Sequence, residues 1–522
     1  MRKMKEMTVL LVTLAMVLVM LPTATFAEVL SENTYTPICI CETKCSANSI
    51  NTDCPVCSME SADLALCTGT TATPTVTPKQ SEISPVVTEV QVLNNAPPVL
   101  TQANALISTN VKVNGVELTT DRPYLASNNT AAVAQKPIGG YAYYDSGTNT
   151  LELNNYTNKN GAASPIVEAK IRAAIYANGD LTIKLVNEDT SVKIKDAAGQ
   201  SSGTPEPSDK SACIYVKGAL TITGSGSATF NAGASWKASD DHYNYGIYAN
   251  SVVVNATGIL QVNTAPKVAD AQQGVAHCYG IYSEESQEFK TGSKVTANSI
   301  DSNFVNFGGE LYGIYAGGQI TIEDDANVTA GNQFGANKPC SIAYGIYARG
   351  NISILGELSA STRNNVFGEN CAVYGENTLT IDGNAKVTAN GLQSTSGESY
   401  GIYGRNNVNI VGKSTVKATN VLSNDTDGCV IRGTTITLAD KAKFELKSSN
   451  NSGSSLVPRV IHATTQLNMP PKTTITGGYK DNQSVYQSTE TATVMLDCDE
   501  SIKVTFDPCN GEAPAVIKRS EK

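Results

Sequence analysis

From about residue 165 onward, apolar and polar residues alternate in short runs, and Gly, Asn or Asp interrupts them every few residues. Leu181-Thr182-Ile183, Leu220-Thr221-Ile222, Ile320-Thr321-Ile322 and Leu379-Thr380-Ile381 each put two aliphatic residues on one face with Thr on the other. After a further turn the pattern returns as Lys294-Val295-Thr296-Ala297, Asn327-Val328-Thr329-Ala330 and Lys386-Val387-Thr388-Ala389. Period-two alternation rich in β-branched residues marks strands. No repeat has room for an amphipathic helix.

The runs belong to a repeat. Tyr245-Gly246-Ile247-Tyr248 recurs at Tyr279–Tyr282, Tyr312–Tyr315, Tyr344–Tyr347 and Tyr400–Tyr403, with weaker copies ending at Tyr176, Tyr215 and Tyr374. These closing, or marker, tyrosines are spaced by about 32 residues, and Ile431 and Ile461 mark two degenerate copies. Three short strands per repeat, with a variable polar loop such as Gln333 to Pro339, predict an all-β fold. The expected architecture is a right-handed parallel β-helix of about ten coils, a rod of roughly 45–50 Å at ~4.8 Å per coil. A propeller blade would need a fourth strand. Strict alternation in Tyr400-Gly401-Ile402-Tyr403 turns Tyr400 and Ile402 inward, and Gly401 and Tyr403 outward. Ile175, Ile247, Ile281, Ile314, Ile346 and Ile402 then stack inside, and the marker tyrosines form an outer ladder. That ladder either holds neighbouring coils together or serves as a platform for sugar rings. The candidate ligand contacts are Tyr248, Tyr282, Tyr315, Tyr347 and Tyr403.

The flanks read differently. Arg2, Lys3 and Lys5 precede the apolar run Thr8 to Leu21, and Thr25-Phe26-Ala27 closes it, so residues 1–27 read as a signal peptide. The expected location is therefore secreted or extracellular, in solution or at the cell surface. Residues 28–67 hold Cys39, Cys41, Cys45, Cys54, Cys57 and Cys67. A disulfide module, a zinc site on Cys54 and Cys57 with Cys39 and Cys41, and a partly reduced segment all fit this spacing. Residues 68–105 form a Thr/Pro linker. Residues 106–160 are expected to be a β lead-in that caps the first coil, 161–480 the β-helix, and 481–522 a linker with an incomplete surface repeat.

The YGIY coils, the Leu-Thr-Ile turns and the lead-in Gly140-Tyr141-Ala142-Tyr143-Tyr144-Asp145 through Leu151-Glu152-Leu153-Asn154-Asn155-Tyr156 resemble secreted β-helix proteins of gut Clostridia. They are similar to the clostridial carbohydrate-binding family with a pectate-lyase-like fold. The resemblance covers about residues 110–480. It implies binding of acidic polysaccharide with calcium and without lyase activity. The Cys39–Cys67 cluster looks like an N-terminal module of such proteins. Ile502-Lys503-Val504-Thr505-Phe506-Asp507-Pro508 resembles the first strand of a Listeria/Bacteroides-type surface repeat, with Cys509 where that motif prefers Asn. Its single strand suggests a truncated reading frame.

The chain has 522 residues and a net charge of −10, which disfavours nucleic acid as a partner. Nothing beyond residue 27 reads as a membrane span, and a monomer is expected. Its three histidines, His242, His277 and His462, are scattered, and it has one Trp against 22 Tyr. No Ser-His-Asp, P-loop or HExxH arrangement is present, so no catalytic residue is assigned. A lyase would need acidic calcium ligands; the metal candidates are Asp324, Asp325 and Asp382, with Glu323, Asp425 and Asp427 as further acids. Arg349 and Arg405 follow marker tyrosines and could pair with a carboxylate sugar. The expectation is a non-catalytic carbohydrate-binding or adhesin-type protein, with Ca2+ as the candidate cofactor. The alternatives are a structural or host-interaction surface protein and, behind it, a polysaccharide lyase. Cys213 stands at the glycine place of its repeat, which strict alternation turns outward; Cys278, Cys340, Cys371 and Cys429 are expected as small core residues.

Overall fold

The computed structural model describes residues 110–498 apart from 159–165, 169–170, 195–209, 233–234, 237–241, 265–266, 269–275, 301–308, 334–339, 363–365, 367, 393–396, 423–427, 451–457 and 489–491, together with strands 504–506 and 515–517. The signal segment, the Cys39–Cys67 cluster, the Thr/Pro linker, Asp425 and Asp427 lie outside the described residues.

The described residues contain strands and no helix. They wind as a right-handed parallel β-helix. Its first strands are Ile171–Ala177, Lys210–Val216, His242–Ala249, Ala276–Ser283, Glu310–Ala316, Ile342–Ala348 and Asn370–Gly375, each paired in parallel with the next. The second strands run from Leu181–Val186 to Thr378–Ile381, and the third from Thr190–Ile194 to Lys386–Asn390. Beyond these seven three-strand coils, the first and second strands merge as Ser399–Ile410 and Cys429–Leu438, and Arg459–Asn468 ends the stack. The expected ten coils are thus corrected to seven full ones, two merged ones and a terminal strand. The longest connections run from a third strand to the next first strand, as between Ile194 and Lys210, while the other two corners turn within a few residues.

Aliphatic columns fill the interior. Ile175, Ile214, Ile247, Ile281, Ile314, Ile346, Val373, Ile402, Ile431 and Ile461 are in register and fully buried. On the third strands a short run of asparagines pairs with its own kind from coil to coil. Asn263 Nδ2 donates to Asn231 Oδ1 at 2.9 Å, and Asn298 Nδ2 donates to Asn263 Oδ1 at 3.1 Å. Such ladders satisfy buried amides that would otherwise each cost about 1–3 kcal/mol.

The alternation breaks at the YGIY segment. In every coil the register skips the glycine position, pairing Ala212 with Tyr245 and then Ile214 with Ile247. Glycine and isoleucine both face inward there, so the tyrosines on either side both face outward. A Cβ on Gly246 would come within 2.3 Å of Val262 Cγ1 on the third strand of its own coil, and one on Gly313 within 2.6 Å of Gly331 N and Gly345 O. Two expectations are corrected accordingly. Tyr400 does not point into the main core with Ile402 but joins the outer tyrosines, and Cys213 is an inward core residue. A third correction concerns the degenerate copies. Tyr403 pairs with Arg432 and Arg432 with His462, so these two residues, not Ile431 and Ile461, occupy the marker position.

Both ends of the stack are closed by antiparallel strands. Val111–Val113 pairs antiparallel with Ile171–Ala177, while Thr150–Asn154 runs parallel to Leu181–Val186. At the other end Ser484–Gln487 pairs with Arg459–Asn468, and Val494–Asp497 with Lys443–Asn450. Val485, Val494, Leu496 and Cys498 are buried, so the β-helix unit extends past residue 480 and the expected linker from 481 is corrected over this stretch. Capping removes the open edges that would template pairing with other chains. Val504–Phe506 and Ala515–Ile517 form a separate antiparallel pair.

The close approach at the inward glycine yields a test. Gly313→Ala is expected to lower unfolding stability by about 1–3 kcal/mol, although Ala372 already fills the same column two coils on. Chemical denaturation checks this; an unchanged midpoint would show that the strand can relax outward.

Candidate functional site

Because both tyrosines of YGIY face outward, the first strands carry two parallel columns of rings. The leading column holds Tyr245, Tyr279, Tyr312 and Tyr344, then Cys371, Tyr400 and Cys429. The marker column runs Tyr176, Tyr215, Tyr248, Tyr282, Tyr315, Tyr347, Tyr374 and Tyr403. Together they form a second apolar cluster outside the main core. From Tyr215 to Tyr374 the marker rings stack with centroids 4.5–5.1 Å apart and planes within 2–8°. Leading rings stack likewise, and the two columns meet edge to face, at 5.1 Å and 80° for Tyr279 and Tyr282. This combines the two favourable aromatic geometries in one lattice. After Cys371 interrupts the leading column, Tyr403 turns edge-on to Tyr374 at 89°. Arg432 then caps the lattice, 5.4 Å from the centroids of both Tyr400 and Tyr403.

The stacking distance has a chemical consequence. Two rings about 5 Å apart leave no room for a sugar between them, so the faces of Tyr248, Tyr282, Tyr315 and Tyr347 are already covered by neighbouring tyrosines. What the lattice offers outward is ring edges and hydroxyls. Charged groups line it on both sides. Tyr248 and Tyr282 hydroxyls both donate to Glu284, at 2.6 and 3.1 Å. Tyr347 donates to Glu376, Tyr312 to Glu310 at 3.3 Å, and Tyr400 to Glu398. Burial raises the pKa of these phenols above the ordinary range, so they stay protonated donors. His277 Nδ1 lies 3.3 Å from Glu310 Oε2 and holds that carboxyl below its ordinary range. Arg432 bonds Glu398 at 3.1 Å. Burial pushes the Glu369 carboxyl up to about 7.

The structure thus brings Tyr248, Tyr282, Tyr315 and Tyr347 into one row with Arg349, whose guanidinium lies beside Tyr315 and Tyr347. Tyr403 and Arg405 stand at the row's end, where Arg405 acts on Glu369. Both arginines are exposed. The proposed calcium ligands are not brought together. Asp324 and Asp325 sit in an exposed turn, where Asp324 Oδ1 accepts from Asp325 N at 3.2 Å and Asp325 takes the left-handed conformation at φ 58°. Asp382 accepts from Gly383 N in its own turn, two coils away by the register of Ile322, Ile354 and Ile381, or about 10 Å. Among the described residues no group of three or more His, Cys, Asp or Glu is placed to hold a metal ion, and no helix is long and apolar enough to cross a membrane. Sequence reading missed Glu284, Glu310, Glu369, Glu376 and Glu398. The spacing of these residues from the YGIY motif, just before or just after it, was the available signal.

Glu369 supplies a pH test. Its folded-state pKa is raised from 4.5 to about 7, so its contribution favours the fold at low pH and is lost as pH rises through that interval. Glu369→Gln is expected to leave stability nearly unchanged at pH 4 and to raise it by roughly 2–3 kcal/mol at pH 8. Urea midpoints at the two pH values check this; an equal effect at both would place the carboxyl in water.

In comparison with known proteins, residues 23–113 match the model of a family described as Mobile element protein CD1107-like. The matched segment covers less than a fifth of the chain and reaches the β-helix unit only at its first strand. No curated protein and no solved structure matches the chain.

Proposed function

We propose that this chain is a secreted or cell-surface, non-catalytic binding rod whose tyrosine face contacts a linear polysaccharide through ring edges, hydroxyls and charges. The supporting observation is the row itself. Tyr hydroxyls, Glu carboxylates and the exposed Arg349 and Arg405 recur on one line at the strand spacing of ~4.8 Å, close to the length of one extended sugar residue. Hydroxyls and carboxylates are the groups that hydrogen-bond sugar hydroxyls, and the stacked lattice holds them rigid before any ligand arrives. Each contact is weak, so affinity requires several coils acting together. This replaces face-on stacking of sugars, which the ring packing leaves no space for. Secretion is supported by the apolar run Thr8 to Leu21 and the small residues at Thr25 and Ala27. The family matching residues 23–113 is described as a mobile-element protein, and that description names no ligand.

One observation favours a second reading, a surface protein without glycan affinity. Ring faces and several hydroxyls are satisfied within the chain, which is what a purely structural lattice requires.

Two double variants separate the readings. Tyr315→Ala with Tyr347→Ala removes two stacked rings and is expected to cost about 3 kcal/mol or more in stability. Tyr315→Phe with Tyr347→Phe keeps the rings and removes only the hydroxyls. It is expected to stay folded and to lose retention on a polysaccharide array. If the Phe pair retains every glycan bound by the unaltered protein, the hydroxyl row is not the binding face.

A further inference from the structure

The residues that immediately follow the YGIY-A segment form a column beside the marker tyrosines. Backbone bonds fix its register: Gly317 N to Ser283 O at 2.9 Å, Arg349 N to Ala316 O at 3.0 Å and Glu376 N to Ala348 O at 3.0 Å. Gly404 pairs with Gly375, so Arg405 follows Glu376 in the next coil. In successive coils the column therefore reads Glu284, Gly317, Arg349, Glu376, Arg405. Arg349 and Arg405 are two coils apart, about 10 Å, with an acid between them. Both are exposed, and among the described residues neither is paired with a carboxylate in the way Glu398 holds Arg432. Arg349 lies against the hydroxyl edges of Tyr315 and Tyr347, and Arg405 acts on Tyr403. Glu376 is fixed in place by the Tyr347 hydroxyl.

Resting on the polysaccharide reading above, we infer that the ligand is a linear glycan with one carboxylate per disaccharide. A chain lying along the row places one sugar over each coil. Its carboxylates then fall on Arg349 and Arg405, where each guanidinium can take a carboxylate through two N–H donors. The intervening sugar faces Glu376, which accepts hydrogen bonds from neutral hydroxyl or amide groups and repels a second carboxylate. A polymer with an acid on every residue would press one carboxylate against Glu376. A neutral polymer would leave both guanidinium groups without an anion. The alternation of charge along the column thus acts as a ruler with a two-residue period, and Glu376 supplies the rejection that specificity requires.

The test is affinity electrophoresis and calorimetry of the full chain with hyaluronate, which alternates acidic and neutral sugars, polygalacturonate, which is acidic at every residue, and a neutral β-glucan. The unaltered protein is expected to bind hyaluronate about tenfold more tightly than polygalacturonate. Arg349→Gln and Arg405→Gln should each weaken hyaluronate binding by about tenfold. Glu376→Gln should raise polygalacturonate affinity and leave hyaluronate within about twofold, so that the preference collapses. Equal binding of the two acidic polymers, or a preference that survives Glu376→Gln, overturns the two-residue period. Binding of the neutral glucan alone overturns it too, while leaving the polysaccharide reading standing. Binding to none of the three overturns both. Circular dichroism of each variant separates lost binding from lost folding.

Discussion

The bend inside YGIY governs the outer surface of this rod. A strand with strict alternation would bury one tyrosine of each motif and expose the other. Here two consecutive residues, glycine and isoleucine, face the core, and both tyrosines are left outside. The two features are coupled within the chain. Tyr precedes Gly at 245–246, 279–280, 312–313, 344–345 and 400–401. Where the leading place holds Ala173, Ala212, Cys371 or Cys429, the next residue is Ala174, Cys213, Ala372 or Val430. A ring pair meeting edge to face outside goes with a backbone drawn too close to the third strand for a Cβ inside.

This coupling decides what the surface can do. Two columns of rings bury each other without help from the main core, which explains how so tyrosine-rich a face remains mostly covered. Their stacking stiffens the rod along its axis and turns phenol hydroxyls toward the flanking carboxylates. The same lattice ends where its rule fails. Cys371 leaves a gap in the leading column, Tyr403 rotates, and Arg432 closes the stack by sitting against Tyr400 and Tyr403. Cation–π closure suits a terminus because the guanidinium covers the last ring face and still pairs with Glu398.

Much of the fold was legible in the sequence because its signals are local and repeated. Leu-Thr-Ile and Lys-Val-Thr-Ala runs alternate cleanly, and one inward aliphatic residue, nearly always isoleucine, recurs once per coil. The bend was not legible from alternation alone, since a period of two assigns Tyr400 to the side of Ile402. The glycine was the missed clue: it is needed for close inward approach, not for an outward-facing surface. That error also shifted the degenerate copies by one residue and hid Arg432 and His462 as heirs of the marker position. The acidic turns misled for a related reason. Asp325 occupies a left-handed turn residue, a place filled by Gly292 in the preceding coil, so a short polar residue there follows from turn geometry. Coil stacking brings Glu284 to Tyr248 and Glu376 to Tyr347, which no local pattern shows, whereas Glu284, Glu310 and Glu398 also bond a tyrosine two residues away, so their place beside the motif was the legible part.

A repeated surface also changes how recognition has to be argued. In a pocket, a few buried groups carry the binding energy. On a rod, each coil offers a shallow set of edges, so a monomeric sugar gains too little to offset its lost freedom. A polymer meets the cost of association once and then adds one weak contact per coil, provided its own period matches the strand spacing. Specificity must then come from places where the repeat is broken. Along the marker column the rings hardly vary between Tyr215 and Tyr374, so they cannot distinguish one polymer from another. The neighbouring column does vary, passing from Glu284 through Gly317 and Arg349 to Glu376 and Arg405. On the proposed reading, rigidity and discrimination are divided between two adjacent columns of the same strands: the tyrosines hold the spacing constant, and the charges that follow them would determine which periodic ligand that spacing accepts.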